Sequence, residues 1–503
     1  MDKLLVIKSI VIVIFISFSI NCTAQIPIDL KGKLEKKLTV SPSGEVLLPG
    51  TEVKIIEYGG NLDGSNRYYT ISLNGEKQRI KERELKNINL EDQNTLPALW
   101  SKILVTDSEL YHNLIKEGMH YGIRNEADKE SISFIYQYFE YNLFFDDIYL
   151  EEYLQSLLPS IHPVTLTDNR PGNLSIKVVI DNYPNAFCLP NGTIMISTGM
   201  LSLIDSEPEL IAVIAHEVAH FVLDHYVDNI LADIKRKKRA EFWAGFATAM
   251  AAAGDAYLAT QNPDHSFGDI TASTAIISYS LAYSIVNRLG LKYSRAQEIE
   301  ADKVAVLVLE HLNISPNALA TVFEKLKNYS ISIGDYSAFS STGTHPSLQS
   351  RIKTVGTPQL DLFIEPSYYL TISNANTSNA YLEFFSQHFK DADRIITRNI
   401  TANIATEDDY ILKARLLRNM YNDNDNMEKA LEFLSLAEKV DVTPRYATFK
   451  AKGLTLVRLG RHNEAQAAFE EYLGSIDKIE KKSDWLKEEV EWTKKMIYKC
   501  KKI

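Results

Sequence analysis

Between Leu210 and His220 the chain reads Leu-Ile-Ala-Val-Ile-Ala-His-Glu-Val-Ala-His. This segment reads as a helix that is apolar on nearly every side, and such a helix has to be buried. The domain around it must therefore cover it all round. Just upstream, Ser206-Glu-Pro-Glu209 has the form of a capping box, with Ser206 as N-cap and Glu209 three residues on. Within the helix His216 and His220 stand at i and i+4, so they project from one face, close enough to grip a single metal ion. Imidazole nitrogens suit zinc, and Glu217 between them is placed to act on a water held by the metal.

A catalytic zinc takes three protein ligands and keeps one position open. The third candidate is Glu298, near the start of a helix that Ser294-Arg-Ala-Gln297 opens with a second capping box and whose remainder is apolar. Asp302, four residues on, shares its face and could accept the other N–H of a ligand histidine. Glu298 also fits a plainer role, an exposed first-turn acid favoured by the helix dipole. Spacing alone leaves both readings open.

The 503 residues allow roughly two to four domains, and 45% hydrophobic with 24% charged residues is ordinary globular composition. A net charge of −11 argues against general nucleic-acid binding, which needs a basic face. At the N-terminus Lys3 and Lys8 precede an apolar run from Ser9 to Ile20, and Asn21-Cys-Thr-Ala24 follows. That is the layout of a signal peptide over 1–24, cleaved after Ala24. Lipidation at Cys22 and an uncleaved anchor are the alternatives. Each places the body of the protein outside the cytoplasm, periplasmic or envelope-associated. Cys188 and Cys500 fall in different expected domains, so no intramolecular disulfide is expected.

Along the chain, 25–90 reads as short strands with Gly-rich turns, a small β-barrel or curled sheet similar to a Src-homology-3-like module. A helical linker is expected over 91–145. Apolar runs on either side of Pro190-Asn191-Gly192 predict a β-hairpin ahead of the motif helix. An apolar helical insert over 235–290, opened by Lys235-Arg-Lys-Lys-Arg239, fits either a membrane surface or two buried helices. From 365 to 503 the chain is helical. There Phe449, Gly453, Leu456, Gly460, Ala465 and Phe469 fall at tetratricopeptide spacing, which a generic helical hairpin would also satisfy. The expected class is α+β, mostly helical. His225 reads as a structural cation at the end of the motif helix.

Three segments in order, His216-Glu-Val-Ala-His220, Ser294-Arg-Ala-Gln-Glu298-Ile-Glu-Ala-Asp302 and Thr344-His345-Pro346 with Arg351, resemble the HtpX/BepA-type zinc metallopeptidase family. That family also contains the CAAX prenyl proteases and mitochondrial Oma-type peptidases. The resemblance covers roughly 146–358 and implies a zincin-type core with a β-hairpin edge. It implies one zinc per chain on His216, His220 and Glu298, with Glu217 as general base. It places the ligand at Glu298 rather than the nearby Glu300. His345 matches a position that either steadies the developing oxyanion or closes on the metal as a fourth ligand, and Arg351 could stabilise the same charge. The hairpin resembles the family's substrate side, so Thr193 to Thr198 is expected as a free edge that takes an extended peptide, with Asn185, Thr193, Met195 and Ser197 as substrate-binding residues. The implied function is zinc metalloendopeptidase action on unfolded or misassembled envelope proteins, in protein quality control. The alternative is a chaperone-like scaffold whose metal site His345 keeps latched, with a protein partner on the C-terminal helices. Periplasmic members with C-terminal tetratricopeptide repeats are the nearest architecture, and the N-terminal barrel departs from them.

Overall fold

Alternation governs the first described segment. From Gln25 to Leu34 every second residue is buried, as a strand with one face on a core demands. The computed structural model describes residues 23–61, 65–91, 95–106, 119–162, 174–236, 293–334, 348–359, 366–440, 446–479 and 484–502. The signal peptide expected over 1–24, with Cys22, therefore lies outside them save for its last two residues. The strands β1 (Thr23–Leu34), β2 (Leu38–Thr39), β3 (Val46–Leu47), β4 (Glu52–Asn61), β5 (Tyr68–Leu73), β6 (Glu76–Lys81) and β7 (Ile88–Leu90) follow, with a 3-10 turn at Glu82–Asn87. Five of them form an antiparallel sheet in the order β6-β5-β4-β1-β7, and β2 pairs with β3. Register shifts in β1 between Pro27 and Leu30, and in β4 between Ile55 and Glu57, add local twist that curls the sheet. Gly32 lets β7 come close, since a Cβ there would meet the Asn89 carbonyl oxygen at 2.6 Å.

The helices expected as a linker are α1 (Leu96–Thr106) and α2 (Met119–Glu140), and both are packed. Trp100 on α1 is fully buried and donates its indole N–H to the Ile161 carbonyl at 2.7 Å. Ser101 accepts from the Asp29 N–H on β1. One continuous apolar core accordingly runs from Ile26 in the sheet to Ala375 in the helical region. Beneath α2, Ile123, Phe134 and Tyr138 join Phe187, Met195, Tyr226 and Tyr293 in a second cluster.

Next come α3 (Ile148–Ile161), β8 (Ser175–Val179), β9 (Ala186–Cys188) and β10 (Thr193–Ser197), then α4 (Thr198–Leu203), α5 (Glu207–Val222) and α6 (His225–Arg236). The predicted hairpin is present: β9 and β10 are antiparallel around a turn in which Gly192 has φ +86°. The motif helix is α5, and all its residues from Glu209 to Val222 are buried. Its expected capping box does not form. Ser206 is the N-cap without a side-chain bond, because buried Glu209 instead accepts from the Asp205 N–H at 3.0 Å and pairs with Lys325. Asp224, at φ +57°, ends α5 and turns the chain into α6.

Beyond Arg236 the 235–290 insert lies outside the described residues. The next described helices are α7 (Arg295–His311), where the Ser294/Gln297 capping box is complete, then α8 (Asn317–Ser332) and α9 (Leu348–Val355). From α10 (Pro366–Phe385) the structure is helical hairpins: α11 (Phe389–Thr401), α12 (Glu407–Met420), α13 (Asn424–Val440), α14 (Tyr446–Arg458), α15 (His462–Asp477) and α16 (Asp484–Lys502), each packed on the next. At Gly453 a Cβ would meet the Phe469 ring at 2.6 Å, so α14 and α15 meet at a glycine. The fold is α+β and mostly helical. Among the described residues no single helix is long and apolar enough to cross a membrane; α5 with the start of α6 is apolar enough together, but bent by 49°. Cys188 and Cys500 are both buried.

Candidate metal centre

His216 and His220 lie one turn apart on the inner face of α5, and α7 crosses that face so that Glu298 in its first turn reaches both. The two Nε2 atoms are 3.1 Å apart. Glu298 Oε2 lies 3.6 Å from Nε2 of His216, and Oε1 lies 4.0 Å from Nε2 of His220. Tetrahedral zinc with bonds near 2.0–2.1 Å sets its ligand atoms roughly 3.3 Å apart. All three residues are buried and their ligand atoms lie within 4.8 Å of one another. Two imidazoles and a carboxylate that converge at this spacing fit the three-ligand set of a catalytic metal ion such as zinc.

Charge around the cluster points the same way. Burial alone would lower both histidines. At His216 the Asp302 and Glu298 carboxylates outweigh it and push the imidazole up to about 9. At His220 burial wins, reinforced by the neighbouring His216 charge, and the imidazole falls well below its ordinary value. So many carboxylates around a buried pair suit a divalent cation. Glu217 is pushed up to about 7, first by burial and then by Glu298, against the pull of His216. A base poised near neutrality is what proton transfer at physiological pH requires. Its Oε2 accepts the Cys188 N–H at 3.1 Å, which fixes the carboxylate beside strand β9.

Asp302 does what its place four residues after Glu298 suggested: its Oδ1 lies 3.0 Å from Nδ1 of His216. Arg351, on α9, donates to both Asp302 oxygens at 2.9 and 2.7 Å and lies 2.9 Å from Glu298 Oε2. Its guanidinium sits 4.1 Å over the Phe323 ring. The structure thus brings His216, Glu217, His220, Glu298, Asp302 and Arg351 together. His345 lies outside the described residues.

The expected peptide-binding edge needs correction. β10 is the central strand of the order β8-β10-β9, parallel to β8 on one side and antiparallel to β9 on the other. Thr193, Met195 and Ser197 are buried: Met195 packs in the cluster under α2, and Ser197 Oγ caps α4 by accepting from the Met200 N–H. Asn185 faces the same strand, since its carbonyl accepts from the Ser197 N–H and its own N–H donates to Ser197 Oγ. Among the described residues β9 is the outer strand on this side, and its Cys188 N–H points away from β10 to Glu217 Oε2.

Three contributors were not anticipated. His225 does not end the motif helix; it opens α6, is buried, and sets its Nδ1 2.8 Å from Nδ1 of His220. Tyr293 stacks on the His220 ring at 3.7 Å between centroids. The Cys188 backbone is the third, and a backbone N–H carries no sequence signal.

Residues 151–359 match the model of peptidase family M48. The chain is 30% identical over 219 residues to the mitochondrial metalloendopeptidase OMA1 of Schizosaccharomyces pombe, a match that covers 41% of this chain and 56% of that protein. It is 31% identical over 158 residues to the metalloprotease LoiP of Escherichia coli, which covers 30% and 51% respectively. With a putative beta-barrel assembly-enhancing protease of Vibrio cholerae it shares 27% identity over 181 residues, 36% of this chain and 34% of that one. The chain thus spans about half or less of the length of these curated relatives.

Proposed function

We propose that this protein is a zinc-dependent metalloendopeptidase that cleaves extended segments of unfolded or misassembled envelope proteins. The observation that carries the reading is the convergence of His216, His220 and Glu298 beside the buried carboxylate of Glu217. Bound zinc would supply a Lewis acid that acidifies water and polarises a peptide carbonyl. The chain's own groups do the rest. Glu217, held by the Cys188 N–H, takes a proton from the attacking water and passes it to the leaving amide nitrogen. Arg351, with Nη2 3.3 Å from Nε2 of His216, sets a fixed cation where negative charge develops on the carbonyl oxygen, a role that His345 would share. An extended peptide adds along the outer side of β9, through its outward backbone groups other than the Cys188 N–H, which Glu217 already takes. Backbone pairing favours unfolded chains over any one sequence. The relatives named as metalloendopeptidases and a beta-barrel assembly-enhancing protease support this class of activity.

The test is Glu217→Gln. Zinc content should stay at one per chain, while casein cleavage falls by at least about 10²-fold, as loss of a general base requires. Undiminished cleavage refutes the assignment.

A second reading, a scaffold with a latched metal site, draws support from the helical array. A groove of about 450 Å³ there is lined by Glu428, Glu432, Lys452, Arg461 and Glu471, and could hold a protein partner. His345→Ala separates the two: faster proteolysis supports the latch, and lost proteolysis with zinc retained supports a transition-state role. An exported, envelope-associated location and tetratricopeptide character for α10–α16 belong to this proposal, as does membrane contact through 235–290.

A further inference from the structure

The two histidine ligands are not held alike. His216 has a carboxylate directly at its outer nitrogen, with Asp302 Oδ1 3.0 Å from Nδ1. His220 has none. Its Nδ1 instead faces Nδ1 of His225 at 2.8 Å, across the bend that Asp224 makes between α5 and α6. On the far side of His225, Nε2 lies 3.4 Å from Oε2 of half-exposed Glu300. The His225 main chain is tied to α7 as well, because Gln297 donates its side-chain N–H to the His225 carbonyl at 3.1 Å. Tyr293 closes the other face of His220, its ring nearly parallel at 12°.

Proton placement along this file follows from one requirement. His220 Nε2 faces Nε2 of His216 and the Glu298 carboxylate, so it must present a lone pair to hold a metal. Its hydrogen then sits on Nδ1 and needs an acceptor. Among the described residues Nδ1 of His225 is the atom within reach, which puts the His225 hydrogen on Nε2, the nitrogen 3.4 Å from the Glu300 carboxylate. We infer that His225, backed by Glu300, is the positioning residue that fixes the tautomer and ring plane of the His220 ligand. The inference rests on the metallopeptidase reading and adds to it. The grip on the metal depends on the file Glu300–His225–His220 as it does on the pair Asp302–His216, and a neutral imidazole passes on the influence of a carboxylate that stands at the protein surface. Outer groups of this kind govern metal affinity because an imidazole free to rotate or to take the wrong tautomer must be ordered when the metal binds.

The experiment measures zinc affinity by competition with a chromophoric chelator and the visible absorption of the cobalt-substituted protein. It uses full-length wild type, His225→Phe, His225→Asn and Glu300→Ala. Asn offers an acceptor near the place of the imidazole Nδ1, whereas Phe keeps the ring and offers none. Thermal melts of the chelator-stripped proteins report the fold. The expected result is a 10- to 100-fold loss of zinc affinity in His225→Phe with a shifted cobalt band. His225→Asn should stay within a few-fold of wild type, and Glu300→Ala, at a half-exposed position, should fold normally and lose several-fold. His225→Phe with wild-type affinity overturns the inference. So does an Asn variant as weak as the Phe variant with Glu300→Ala silent, since that pattern reports packing. Wild type that binds no zinc overturns the metallopeptidase reading itself.

Discussion

Asp181 is a carboxylate enclosed by the fold, 2% exposed, with Oδ1 accepting the Tyr183 N–H at 2.9 Å. Burial pushes it up to about 7, and the Glu383 charge adds to the shift. Between about pH 4 and 7 the folded protein therefore binds a proton that the unfolded chain has released, so this residue's contribution to stability is full at low pH and is lost as pH rises through 7. Asp181→Asn should flatten that slope and raise the urea midpoint at pH 8 relative to wild type, with a gain in unfolding free energy of a few kcal/mol at most. An unchanged difference between pH 5 and pH 8 midpoints would refute it. Residues of the centre divide by distance along the chain. His216, Glu217 and His220 are legible because a single helix sets their spacing, and Asp302 follows once Glu298 is chosen. His225 is not, because its contact with His220 depends on the positive φ of Asp224, which no periodicity reports.

Strand β10 shows what pattern leaves out at the scale of an element. The hairpin is written in Pro190-Asn191-Gly192, but the parallel pairing with β8 joins segments separated by a β-strand and two loops. All five residues of β10 are buried, the mark of a strand covered on both faces, and the run Ile194-Met-Ile196 was the available sign that it is no edge. The start of α5 is a second case. Asp205 is held by Lys325 from α8, by Tyr369 from α10 and by Arg398 from α11, and Lys325 also pairs with Glu209. Burial would raise the Asp205 carboxyl, yet Arg398 and Lys325 keep it below its ordinary value. Lys325→Met leaves two enclosed carboxylates short of their shared cation, so equilibrium unfolding in urea should show a loss of about 3–5 kcal/mol.

The whole molecule does not divide where composition suggests. Tyr368, Tyr369, Ile372 and Ala375 on α10 belong to the same apolar core as the metal helix, and Arg398 donates to the Ser202 carbonyl at 2.7 Å. A chain ended within 360–365 should be insoluble or unfolded, whereas one ended within 441–445, which removes α14–α16, should melt cooperatively and bind zinc. Equal behaviour of the two truncations would refute this. Helical content and the order of units could be read from composition and turns. The sharing of core between units could not, since it rests on contacts such as Trp100 with Ile161, 61 residues apart.

That last contact has an optical consequence. The chain holds four tryptophans, of which Trp100 is fully enclosed at the joint between the N-terminal sheet and the metal-bearing core. Its indole N–H is committed to a carbonyl across that joint. With the other three replaced by phenylalanine, emission from this one ring would become a colour scale for docking, blue while the sheet is seated and red once water reaches it.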